Sequence, residues 1–157
     1  MTRILLAALV LLVFVGAWWL AKSSRPARTV SLNCAGTDQE LERLIAALMN
    51  STQQAYLIAT VSGTDDFLQM TGGPTGVQID FPLITPRQQG FESTIRQAAT
   101  VRRLKVKENR GSDGSRFLDI DVTDDSRAIA QICRTLMRDV YSTSHDTVLQ
   151  YEGEVFE

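Results

Sequence analysis

His145 is the only histidine in the 157 residues, so the chain has no second imidazole with which to build a zinc cluster or a histidine relay. It falls just past the last expected helix, where a cation suits the negative end of the helix dipole. Asp119, Asp121, Asp124 and Asp125 have the oxygen chemistry of a hard-cation site. Strand alternation, however, sends the first two to a wet sheet face, and the last two open a helix, where carboxylates are favoured in any case. Gly72-Gly73-Pro74-Thr75-Gly76 lacks the Lys-Ser/Thr and the helix start of a phosphate loop and reads as a turn. The serines include no nucleophile elbow. Two cysteines, Cys34 and Cys133, are too few for a disulfide scaffold or a metal cage. The expectation is a chain with no catalytic residue, no metal and no cofactor, and hence not an enzyme.

The elements that would position any site are easier to read. Thr37-Asp38-Gln39-Glu40 fits a capping box, and Leu41, Leu44, Ile45, Leu48 and Met49 then recur on one helical stripe. Three extended runs follow, Tyr56 to Ser62, Phe67 to Thr71 and Val77 to Phe81, as an antiparallel meander with one wet face. Pro82 and Pro86 end it. A shorter amphipathic segment from Gln88 to Ala99 places Phe91, Ile95 and Ala98 on one side. In the next two strands Lys105 and Lys107 are expected to face Asp119 and Asp121 across a hairpin. A last helix, from about Asp124 to Ser142, buries Ala128, Ile129, Ile132, Cys133, Leu136, Met137 and Val140. The predicted fold is α+β, an antiparallel sheet of about five strands with helices on one face in the order α-β-β-β-α-β-β-α. The tail from Val148 to Phe156 adds an edge strand or a partner-binding segment, with Tyr151 and Phe156 as its candidate contact residues.

Ahead of this domain lie eighteen uncharged residues, Ile4 to Ala21. As a helix they would rise about 27 Å, near the thickness of a bilayer's hydrocarbon core. Trp18 and Trp19 fall at the expected interface, and Lys22, Arg25 and Arg28 follow at headgroup level. The expected division is an anchor over residues 1–21, a linker over 22–36 and a domain over 37–157, in the bacterial inner (cytoplasmic) membrane as a single pass. A cleaved secretory signal is the competing reading. Three basic residues after the anchor against Arg3 before it favour a cytoplasmic domain, while the very short leading tail favours the other side. In a periplasmic domain, a Cys34–Cys133 bridge would tie the linker to the last helix. Residues 29–157 hold twelve basic against eighteen acidic groups, and this acidic balance argues against nucleic acid as a partner.

The element order, the small acidic domain, the strand bearing Gln69 ahead of a Gly/Pro turn and Val77-Gln78-Ile79-Asp80-Phe81 resemble the type III secretion chaperone-like superfamily, including YbjN-type proteins. The resemblance covers residues 37 to about 145. It implies a module, often a homodimer, that holds an extended or helical segment of another protein without turnover. Two classes of function follow. One is a membrane-anchored binding module of chaperone, adaptor or immunity type; the other is a structural accessory subunit of a larger membrane complex. The absence of a small-xxx-small repeat and of an intramembrane charge weakens the second.

Overall fold

The computed structural model describes residues 29–36, 38–51, 55–73, 76–144 and 146–156. The chain runs β1 (Thr29–Gly36), α1 (Asp38–Met49), β2 (Ala55–Val61), β3 (Phe67–Gly73), β4 (Gly76–Pro82), α2 (Pro86–Gly90), α3 (Glu92–Val101), β5 (Val106–Arg110), β6 (Arg116–Val122), α4 (Ser126–Tyr141) and β7 (Leu149–Phe156). The strands form one antiparallel sheet in the order β1-β7-β2-β3-β4-β6-β5. The α+β class and the antiparallel sheet are as expected. No helix among the described residues is long and apolar enough to cross a membrane. The expected anchor, Ile4 to Ala21, lies outside the described residues, as do Trp18, Trp19, Lys22, Arg25 and Arg28.

Strand alternation builds the sheet's two faces. Leu57, Ala59, Leu68, Met70, Ile79, Phe81, Leu118 and Ile120 are all fully buried and form one cluster with the helices. On α1 the buried stripe is Leu41, Leu44, Ile45 and Leu48, the 3.6-residue spacing that a single apolar face requires. On α4 it is Ile129, Ala130, Cys133, Leu136, Met137 and Val140. Asp125 caps that helix by accepting a hydrogen bond from the Ala128 N–H at 2.8 Å, and Ser142 ends it in the left-handed region at φ 57°. Thr37, the expected cap of α1, lies outside the described residues; Glu40 pairs with Arg43 at 2.6 Å.

Three features differ from the sequence reading. The amphipathic stretch expected over Gln88 to Ala99 is two helices. Thr85 and Gln88 cap α2 reciprocally, Pro86 occupies its first turn, and the chain turns at Phe91 before α3. Strand β1 occupies the second half of the expected linker, so the sheet includes residues ahead of 37. The tail, expected as an edge strand or a partner-binding segment, is an interior strand: β7 pairs with β1 from Thr29↔Phe156 to Gly36↔Leu149 and with β2 from Tyr56↔Glu154 to Val61↔Leu149. With both pairings the sheet has seven strands rather than about five. Gly153 allows the close approach of β7 to β2, since a Cβ there would stand 2.4 Å from the Tyr56 carbonyl oxygen.

Candidate functional site

Because the helices share one face of the sheet, the strand side chains of opposite parity stand on a face that no described helix covers. The register carries rows across it. One row runs Glu152, Ile58, Gln69, Asp80, Asp119, Lys107. Beside it, Tyr56 pairs with Thr71, Thr71 with Gln78 and Gln78 with Asp121; on the other flank Pro82 pairs with Phe117 and Phe117 with Asn109. Tyr56, Ile58, Phe67 and Phe117 are half-buried there, and none belongs to the core cluster.

The chemistry of this face is concentrated in a carboxyl pair. Asp80 on β4 and Asp119 on β6 are direct cross-strand partners, only 9% and 6% exposed. Burial pushes the Asp80 carboxyl from 3.8 up to about 6, against a lowering hydrogen bond from Gln78 and aided by the neighbouring Asp119. The Gln78 Nε2 donates to Asp80 Oδ1 at 2.7 Å. Burial also pushes Asp119 up, opposed by hydrogen bonds with Asn109 and Asp80. The two carboxyls therefore share a proton as acidity rises, with Asp80 its holder. The Oδ1 of Asp119 is buried and has no hydrogen-bond partner among the described residues. Lys107, directly across from Asp119, turns away to Asp121 at 2.5 Å, and that hydrogen bond raises the lysine's proton affinity. Among the described strand residues, this face carries Asp80, Asp119, Asp121, Glu152 and Glu154 against one lysine.

The sequence reading put Asp119 with Asp121 on a solvated surface. The parity was right, but Asp119 is buried because Asp80 and Asn109 crowd it from both neighbouring strands. Lys105 precedes β5 and does not enter the hairpin ladder; Lys107 alone meets the acidic row. Asp124 and Asp125 lie apart, Asp125 as the cap of α4 and Asp124 accepting from the Asp125 N–H at 2.9 Å. Among the described residues no group of three or more His, Cys, Asp or Glu could hold a metal ion.

Tyr151, expected at a partner contact, is 1% exposed. Its parity in β7 turns it toward the helices, where the Arg134 Nη2 donates to its hydroxyl at 3.4 Å. Arg134 also donates to the Thr147 carbonyl at 3.1 Å and pairs with Asp38, and it lines two shallow clefts of about 180 and 220 Å³. Phe156 ends β7, and its side chain and His145 lie outside the described residues. Cys133 is a free thiol, fully buried, its Sγ 3.6 Å from the Met70 Sδ on β3; burial pushes it up to about 12. Cys34 falls on β1, and its side chain lies outside the described residues.

A second polar feature has a structural explanation. Arg87 makes a forked pair with Asp66, Nε to Oδ1 at 2.9 Å and Nη2 to Oδ2 at 2.7 Å, and lies over the Phe91 ring at 5.6 Å. Asp66 is 3% exposed, and this cation is what makes its burial tolerable.

Comparison of the chain with protein-family models, with characterised proteins and with solved structures returns no match.

Proposed function

We propose that the chain is a membrane-anchored protein-binding module that holds one partner at a fixed ratio and performs no turnover. The observation that carries this reading is the uncovered sheet face, on which Tyr56, Ile58, Phe67 and Phe117 stand half-buried outside the core around a buried carboxyl pair. A sheet buries apolar side chains on one face for its own core; a second set, gathered around polar groups, suits a partner surface. The similarity to chaperone-like proteins in element order supports the same reading, and the apolar run from Ile4 to Ala21 supports the anchor. The partner site moves from Tyr151 to this face.

The test is titration of the purified full chain in detergent against its partner, recovered by cross-linking in host membranes. Capture should saturate at a fixed ratio. Ile58→Asp should weaken it, while Val101→Asp, at a position 75% exposed on α3, should leave it unchanged. Equal losses at the two positions, or repeated turnover of a small molecule by the purified chain, would overturn the proposal.

A further inference from the structure

We propose that the Asp80–Asp119 pair is the seat of a cationic side chain, Lys or Arg, presented by the partner segment that docks on the uncovered sheet face; this rests on the binding-module reading. The two carboxyls are in register on adjacent strands, so their oxygens converge on one spot. Asp119 Oδ1, in a side chain only 6% exposed, lacks a donor, and a buried acceptor left unmade is costly. The chain's own nearby cation does not satisfy it, because Lys107 is committed to Asp121.

The surroundings suit the rest of a long basic side chain. Phe67 and Phe117 are half-buried on the same face, with Phe117 two residues before Asp119 on β6. Phenyl rings beside carboxylates accept an apolar stem and attract the charge at its end. The face's five carboxylates against one lysine favour a basic partner segment over an acidic one. The groups around Asp80 are Gln78 on its own strand, Gln69 from β3, Asp119 and Asp121 from β6, and Lys107 from β5. None of these places a free cation on the pair. The raised proton affinity of Asp80 agrees with a carboxyl that lacks its counter-charge.

The experiment follows the Asp80 and Asp119 carboxyl carbons by NMR through a pH titration of the full chain in detergent micelles. Nα-acetyl-lysine methylamide is the probe. Nα-acetyl-norleucine methylamide, with the stem but no charge, and sodium chloride at matched ionic strength are the controls. The lysine compound should lower the Asp80 midpoint by about one pH unit, a tenfold change in proton affinity, and the controls should not. Asp119→Asn should abolish the response; Glu152→Gln, exposed on β7 three strands from β4, should keep it. An Asp80 midpoint that ignores the lysine compound, or that moves equally with norleucine or salt, overturns the seat. If a partner is captured at a fixed ratio and capture is unchanged by Asp80→Asn and by Asp119→Asn, the seat fails and the module stands. If the midpoint responds to lysine but no partner binds at a fixed ratio, the module reading fails instead.

Discussion

Replacing Asp80 by Asn should stabilise the protein at neutral pH and not in acid. Asp80 is 9% exposed, and burial carries its carboxyl from 3.8 to about 6. The folded state thus binds a proton more tightly than the unfolded chain, so stability is fullest below 3.8 and falls as pH rises to about 6. The shift of about two units corresponds to about 3 kcal/mol lost on ionisation. Asp119, pushed in the same direction, adds to the loss. An Asn at 80 is neutral at every pH and its amide can still donate to Asp119, so above pH 6 the variant should gain about 1–3 kcal/mol, part of the gain offset by imperfect hydrogen bonding. Urea titrations of the full chain in one detergent, followed by far-ultraviolet circular dichroism at pH 4 and pH 8, read the difference between the two proteins. A gain of equal size at both pH values, or a gain confined to pH 4, would refute the argument.

Three further outcomes are expected. Leu48→Ala should cost about 2–5 kcal/mol because its site is closed on all sides, its side chain being fully buried and packed over Gly72, whereas Arg43→Ala, on the exposed face of α1, should change the urea midpoint little. Arg87→Met should destabilise by stranding Asp66, and adding Asp66→Asn should recover part of the loss; strict additivity in that double-mutant cycle would show the forked pair to be idle. Cys133 should resist iodoacetamide in the folded chain and alkylate on unfolding in urea, as mass spectrometry would show; alkylation of the native thiol would contradict its burial beneath α4.

The elements were legible wherever periodicity was strong. Leu41 to Leu48 and Ile129 to Val140 repeat at helical spacing, and Val77-Gln78-Ile79-Asp80-Phe81 and Leu118-Asp119-Ile120-Asp121-Val122 alternate. Local patterns of this kind state which residues share a face but not which strands are neighbours. The Asp80–Asp119 pair joins β4 to β6 across two helices and β5, so its two halves were visible and their meeting was not. Strand β1 escaped notice because Thr29-Val30-Ser31-Leu32-Asn33-Cys34-Ala35-Gly36 has the small and polar composition of a linker. Strand β7 was misplaced for a related reason: Gln150, Glu152 and Glu154 turn to the same polar face whether the strand lies inside a sheet or at its rim. Tyr151 drew attention as an aromatic among acids, yet alternation alone would have turned it inward with Leu149.

The pairing of β1 with β7 sets a timetable for biogenesis. Thr29 leaves the ribosome long before its partner Phe156, and among the described residues β1 pairs with no strand but β7. During synthesis the early strand therefore waits while α1 to α4 emerge, an arrangement rich in long-range contacts that slows the final closure. Arrest-peptide force measurements on nascent chains should register the main folding pull only when β7 has cleared the exit tunnel, and chains released before β7 should leave β1 unpaired and open to proteolysis.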